Sequence, residues 1–188
     1  MTYADMLKFC GVHYETRPQI QTPWTTNGKY YATNGRIGIA LDYKPDGWVD
    51  VEAGKRPDLQ WVINDAANMV KSARAGWEKP HPQEFSACPW CACSGKITCP
   101  HCNGELTDCE ECEGTGKIEK QILVHCYGGV FDNQYLALVS PLPGLTVCEG
   151  NDELCPMMFH FDGGRGALMP MNKPGPKDEI RQPMGVKA

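Results

Sequence analysis

"GKYYATNGRIGIALDY", residues 28–43, decides the fold. Two runs rich in aromatic and branched residues flank Asn34-Gly35, and a dipeptide of that kind between such runs reads as a β-hairpin. Upstream, "YADMLKFCGV" (3–12) places Met6, Leu7, Phe9 and Cys10 where they suit a short helix face. Downstream, "DLQWVINDAANMVKSARAG" (58–76) sets Leu59, Val62, Ile63, Ala66, Met69 and Val70 at helical spacing, with Asp58 as cap and Gly76 as stop. A polar linker, "WEKPHPQEFSA" (77–87), leads into a cysteine-rich segment that ends near 118. "KIEKQILVHCYGGVF" (117–131) then reads as a strand, and "DNQYLALVSPL" (132–142) as a short helix capped by Asp132 or Asn133. "PMMFHFDGGRGALMPM" (156–171) reads as a closing hairpin turned at Gly163-Gly164. The tail, residues 172–188, lacks apolar periodicity and is expected to be disordered.

A chain of 188 residues with 41% hydrophobic content buries one core of ordinary size and at most a small satellite held by other means. No cationic start followed by an apolar stretch occurs in "MTYADMLKFCGVHYE", and no apolar run approaches the roughly 18 residues of a membrane span. A cytoplasmic protein is the expectation. The formal net charge is −5, and a zinc ion held by four thiolates adds about −2. The whole chain therefore lacks the electrostatic footprint of a nucleic-acid binder, and any DNA contact must be local. Lys71, Arg74 and Lys79, near the end of the long helix, form a thin basic stripe that suits a solvated face.

Seven of the eleven cysteines fall between 88 and 112. Three units repeat: Cys88-Pro-Trp-Cys91-Ala-Cys93-Ser-Gly95, Cys99-Pro-His-Cys102-Asn-Gly104, and Cys109-Glu-Glu-Cys112-Glu-Gly114-Thr-Gly116. Two thiolates three residues apart on a tight turn reach one ion, and the following glycines supply the positive φ that bends the backbone around it. In a reducing compartment such clusters point to metal rather than disulfides. One structural zinc is expected, held by two of the three pairs, most simply Cys88/Cys91 with Cys109/Cys112. A second would take Cys99, Cys102 and Cys93 with His101, His125 or Cys126. Redox CxxC chemistry is the competing reading, but no thioredoxin-like βαβ context surrounds these pairs. The stretch resembles the cysteine-rich zinc domain of J-domain co-chaperones and related plastid proteins, in which paired repeats share each zinc. No His-Pro-Asp tripeptide occurs in the chain, so the chaperone function is not implied.

Around this insert, "DMLKFCGVHYETRPQIQTPWTTNGKYYATNGRIGIAL" (5–41) resembles the start of a module of the bacterial DNA polymerase sliding clamp. The matching elements are Glu15-Thr16-Arg17-Pro18 and Ala32-Thr33-Asn34-Gly35-Arg36, with Asn34 where an Asp is usual and Gly38 among the apolar residues that follow. Residues 128–172 resemble the end of such a module, through Phe131 to Leu136 and the final Met169-Pro170-Met171. The resemblance implies an α+β fold: a single sliding-clamp-like module of antiparallel sheets with two packed helices. Residues 1–80 and 120–171 would form it discontinuously around a zinc module at 86–118. It also implies a phage or prophage protein of DNA replication or recombination, and, since clamp rings contain six modules, oligomerisation if anything is to be encircled. The ring lining of clamps is helical and basic, so the resemblance, extended to Lys71, Arg74 and Lys79, implies DNA as the partner of that stripe. In clamps, segments equivalent to Thr33, Gly35, Arg36, Ile37, Met169, Pro170 and Met171 line a groove for short hydrophobic peptides, the two halves coming from neighbouring modules. A core role for Ile37, Ile39 and Met169 is the plainer alternative.

No GxSxG, Walker loop, HExxH or carboxylate pair in a defined context is present, and the histidines at 13, 81, 101, 125 and 160 are scattered. The lone Cys10, Cys126, Cys148 and Cys155 sit among apolar neighbours and suit packing. A non-enzymatic protein is expected: a clamp-derived replication factor, or an adaptor or inhibitor whose zinc module is its contact surface for a protein partner.

Overall fold

The computed structural model describes residues 1–12, 16–50, 55–75, 77, 79–98, 106–171 and 180–182, with 70–75 described by their backbone. The chain divides into two compact units, residues 1–81 with 123–188, and residues 82–122.

The larger unit is α+β. Helix α1 spans Tyr3–Leu7, β1 Trp24–Thr26, β2 Lys29–Thr33, β3 Ile37–Leu41, α2 Leu59–Asn68 and β4 Val70–Ala75. The smaller unit contributes β5 (Phe85–Ala87), β6 (Lys96–Thr98), β7 (Leu106–Asp108) and β8 (Lys117–Glu119). The larger unit resumes with β9 (Leu123–Cys126), β10 (Gly129–Asp132), α3 (Asn133–Val139), β11 (Thr146–Gly150), β12 (Met157–Phe161), β13 (Gly164–Leu168) and β14 (Ile180–Arg181). A seven-stranded antiparallel sheet runs β1-β2-β3-β13-β12-β11-β4, so segments from both sides of the insert share one sheet. A second sheet, β10-β9-β14, has β14 parallel to β9.

Asn34-Gly35 does turn the chain between β2 and β3. Thr33 pairs with Gly38, and the Asn34 side-chain oxygen accepts from the N–H groups of Arg36 and Ile37 at 2.9 and 3.0 Å. An amide oxygen thus does here what a carboxylate would do. Gly38 also has its reason: a Cβ there would stand 2.7 Å from Leu59 Cδ1, so its absence lets α2 lie against the sheet. Beneath α2, Leu59, Ile63 and Ala66 pack with Trp24, Tyr31, Ala40, Cys148, Met158 and Ala167 in one buried cluster. Asp58 caps the helix, accepting from Trp61 N–H at 3.0 Å.

Four expectations need correction. The long helix stops at Asn68, and Val70–Ala75 form the edge strand beside β11, with Cys148 opposite Ala73 and Val147 opposite Arg74. Hydrogen bonding to that distant edge overrides the apolar stripe that continues through Met69 and Val70. Residues 117–131 are not one strand. β8 belongs to the smaller unit, and Tyr127-Gly128, at φ 49° and 85°, turn β9 into β10. The closing hairpin turns at Asp162-Gly163, one residue earlier than read, because Gly164 pairs with Phe161. In the tail, Ile180–Arg181 form β14, while 172–179 and 183–188 lie outside the described residues. A hairpin not anticipated from the sequence, β1 to β2, turns at Asn27-Gly28 with φ 51° and 73°, the signature of a two-residue I′ turn.

The chain leaving the larger unit is held at His81. The Asn133 side chain accepts from His81 N–H at 2.8 Å and donates to its carbonyl at 3.0 Å. The α2 cluster draws none of the described residues of 82–122. Replacing 82–122 by a Gly/Ser linker should therefore leave a domain that still unfolds cooperatively, which thermal melting by circular dichroism would check. A broad, non-cooperative melt would show that the insert is integral to the core.

Candidate functional site

The smaller unit is built on a pseudo-symmetric pair of knuckles. β5 pairs with β8 and β6 with β7, which brings Cys88-x-x-Cys91 to Cys109-x-x-Cys112. The four Sγ atoms lie within 4.8 Å of one another, all buried. Cys88 and Cys109 are 3.8 Å apart, Cys91 and Cys112 3.7 Å. A tetrahedral zinc with Zn–S of about 2.3 Å demands S–S edges of about 3.8 Å, so the geometry fits the ion. Among the described residues no donor joins these four thiols, and four thiolates leave no open position, which suits a structural metal.

Each knuckle repeats the same bonds. Gly95 N–H donates to Cys91 Sγ at 3.3 Å and Gly116 N–H to Cys112 Sγ at 3.2 Å. Ser94 and Thr115 hydroxyls each donate to the carbonyl three residues back, both at 2.6 Å. The knuckles are also stitched together: Cys88 N–H donates to Gly116 O and Cys109 N–H to Gly95 O, both at 2.9 Å. Gly95 and Gly116 take φ of 71° and 72°, and a side chain on either would strike the backbone of the opposite knuckle. Burial pushes the Cys109 thiol up to about 11, so the metal-free site holds protons that an incoming cation must displace.

Cys93 stands where Gly114 stands in the second knuckle, with φ of 70° against 77°. It is exposed and lies outside the four-thiol group, so it is no ligand of that site. The second metal site expected from Cys93, Cys99 and Cys102 depends on 99–105, His101 included, which lie outside the described residues. His125 and Cys126 belong to β9 of the larger unit, the first exposed and the second buried.

In the larger unit a groove of about 270 Å³ is lined by Thr33, Gly35, Arg36, Ile37 and Met169 together with Ile20, Leu59 and Val62. Five of the seven groove residues expected from the clamp resemblance thus meet within one chain. The cause is strand order: β3 lies beside β13, Ile37 pairs with Leu168, and Met169 N–H donates to Arg36 O at 2.9 Å. Thr33 is buried and its hydroxyl donates to Ile37 O at 2.6 Å. Pro170 is buried outside this groove, and Met171 is tied by its N–H to Val130 O at 2.7 Å.

The expected DNA stripe is not assembled by a helix. Lys71 and Arg74 fall on β4 and Lys79 beyond it. Cys10, Cys126 and Cys148 are buried and Cys155 half-buried. Burial pushes the Cys10 thiol up to about 12, which leaves it unreactive. Among the described residues no helix is long and apolar enough to cross a membrane. Comparison with protein-family models, curated proteins and solved structures returned no match.

Proposed function

We propose that the chain is a non-enzymatic protein of clamp-like build, carrying one structural zinc, that acts in DNA replication or recombination by capturing a short apolar peptide of a replication protein. The observation that carries this reading is the convergence of Thr33, Gly35, Arg36, Ile37 and Met169 on one groove. Its apolar wall suits side chains such as leucine or phenylalanine, while Arg36 and the Thr33 turn supply polar edges. Met169, 38% exposed, is the wall residue that can be altered without disturbing the core. A labelled peptide of the type that polymerases present to clamps should bind, and Met169→Glu should weaken it by about tenfold or more. Absence of binding, or equal binding by the variant at unchanged melting temperature, would sink the reading.

A second reading, an adaptor or inhibitor that meets a host protein through its zinc unit, is favoured by charge. Residues 82–122 contain seven acidic residues against three lysines, so that unit carries −4 of the chain's −5. Zinc held by four thiolates makes it more acidic by about two charges. Salt-dependent binding of duplex DNA by the purified protein favours the first reading; no DNA binding at low salt favours the second.

A further inference from the structure

A different opening, of about 570 Å³, lies where the β1–β2 turn meets the start of α2. It shares only Pro57 with the apolar groove. Its floor is the indole of Trp24, stacked on Tyr31 with centroids 5.8 Å apart. The Arg56 guanidinium lies over the same indole, 5.8 Å from its centroid. At the rim stands Trp61, which is 64% exposed although it sits on the helix whose other large apolar side chains are buried or half-buried.

Two features of this opening exceed what folding needs. Lys8, Lys29, Lys96 and Lys120 each face a carboxylate within 4 Å, whereas half-buried Arg56 has no carboxylate partner among the described residues. Its Nη1 donates to Gln19 O at 2.7 Å and its Nη2 to Thr22 Oγ1 at 3.2 Å, while its buried Nε has no partner. The second feature is an amide relay. Tyr31 O–H donates to Gln60 Oε1 at 2.7 Å, Gln60 Nε2 donates to Asn64 Oδ1 at 2.7 Å, and Arg165 Nη2 reaches the same oxygen at 3.4 Å. The amide oxygens each accept, and among the described residues the N–H₂ of Asn64 has no acceptor and remains to donate. Asp58, also on the rim, accepts the helix-cap bond through Oδ1 and keeps its negative charge there. The opening therefore presents an aromatic face, a guanidinium with no ion-pair partner among the described residues, and amide donors.

We propose that this opening binds a nucleotide unit, its base stacked on Trp61 and its phosphate held by Arg56 with the Asn64 amide. Exposed indoles take any base by its face, and guanidinium with amide N–H groups matches phosphate oxygens. The same chemistry serves a free mononucleotide or one residue of a single strand.

Three probes at low salt test it: AMP and adenosine by titration calorimetry, and labelled (dT)8 by fluorescence anisotropy. AMP or (dT)8 should bind saturably, with adenosine about tenfold or more weaker than AMP wherever AMP binds. Tighter binding of (dT)8 than AMP assigns the site to a strand, and comparable binding assigns it to the free nucleotide. Trp61→Ala should weaken the probe that binds by about tenfold or more. Because Arg56 also ties Gln19 and Thr22, the charge arm uses Asn64→Asp, which keeps the side-chain shape and sets a carboxylate against the phosphate, with a similar loss expected. No saturable binding of AMP or (dT)8 at millimolar concentration overturns the proposal. So does binding that both variants leave unchanged.

Discussion

Stripping the metal, or replacing Cys109 with serine, is expected to unfold residues 82–122 while the transition of the larger unit survives. The reason is what the smaller unit lacks. Its strands hold only exposed and half-buried positions, and its buried cluster is the four cysteines themselves, with Ile97 and Ile118 leaning on them. About forty residues with no other core cluster among those described do not fold on apolar burial alone. Zinc binding to such sites contributes about 10 kcal/mol or more, and because the site exists only when folded, that energy is folding energy. A lost ligand forfeits a large part of it. Scanning calorimetry of the intact protein should show two transitions, one of which disappears with chelator or in Cys109→Ser.

The same experiment carries a proton count. With Cys109 pushed up to about 11 in the metal-free site, zinc addition at neutral pH must release protons, and a pH indicator in weak buffer would record them. Binding should weaken steadily on acidification, since every thiolate must compete with a proton. Metal analysis of protein purified without added metal should give at least about one zinc per chain, the stoichiometry of a four-thiolate site. A value near zero, or a single transition indifferent to chelator, would overturn the assignment.

What the sequence disclosed is what local chemistry dictates. Cys88, Cys91, Cys109 and Cys112 could be paired in advance because a CxxC turn is self-contained and its spacing alone limits which thiols share an ion. Asn34 announces its turn because its own side chain makes the bonds. Asp132 announces α3 because the cap lies two residues from the N–H it satisfies. The end of α2 was illegible, since the residues that convert 70–75 to a strand lie on β11, some seventy positions away. Cys93 holds the knuckle position that Gly114 fills in the other, as the repeat pattern indicates, and shares its positive φ. Trp61 did leave a signal, an aromatic falling outside the stripe of Leu59, Val62, Ile63 and Ala66, and it points to the opening at the start of α2.

Phe159→Ala should destabilise the larger unit by about 3–5 kcal/mol, and its cost should be coupled to that of Gly166→Ala. Phe159 is fully buried on β12 and sits opposite Gly166 on β13, while Phe161 sits opposite Gly164. In both pairs the ring occupies the space a Cβ would need. Gly164 and Gly166 of "GGRGAL" are thus receptacles for two aromatic rings rather than hinges, while Gly163 makes the turn. Gly166→Ala alone should cost about 1–3 kcal/mol, because its methyl meets the Phe159 ring and also stands 2.5 Å from Gly38 O on the neighbouring strand. With the ring removed, the second substitution should cost less by a coupling of about 0.5–3 kcal/mol, but not nothing, since Gly38 O remains. The consequence reaches the groove: β13 fits between β12 and β3, and that fit sets Met169 beside Arg36. Urea denaturation of the two single variants and the double variant would measure the coupling. Strictly additive costs, or a loss below about 1 kcal/mol in Phe159→Ala, would show that the ring and the glycine are not the fitted pair that positions β13.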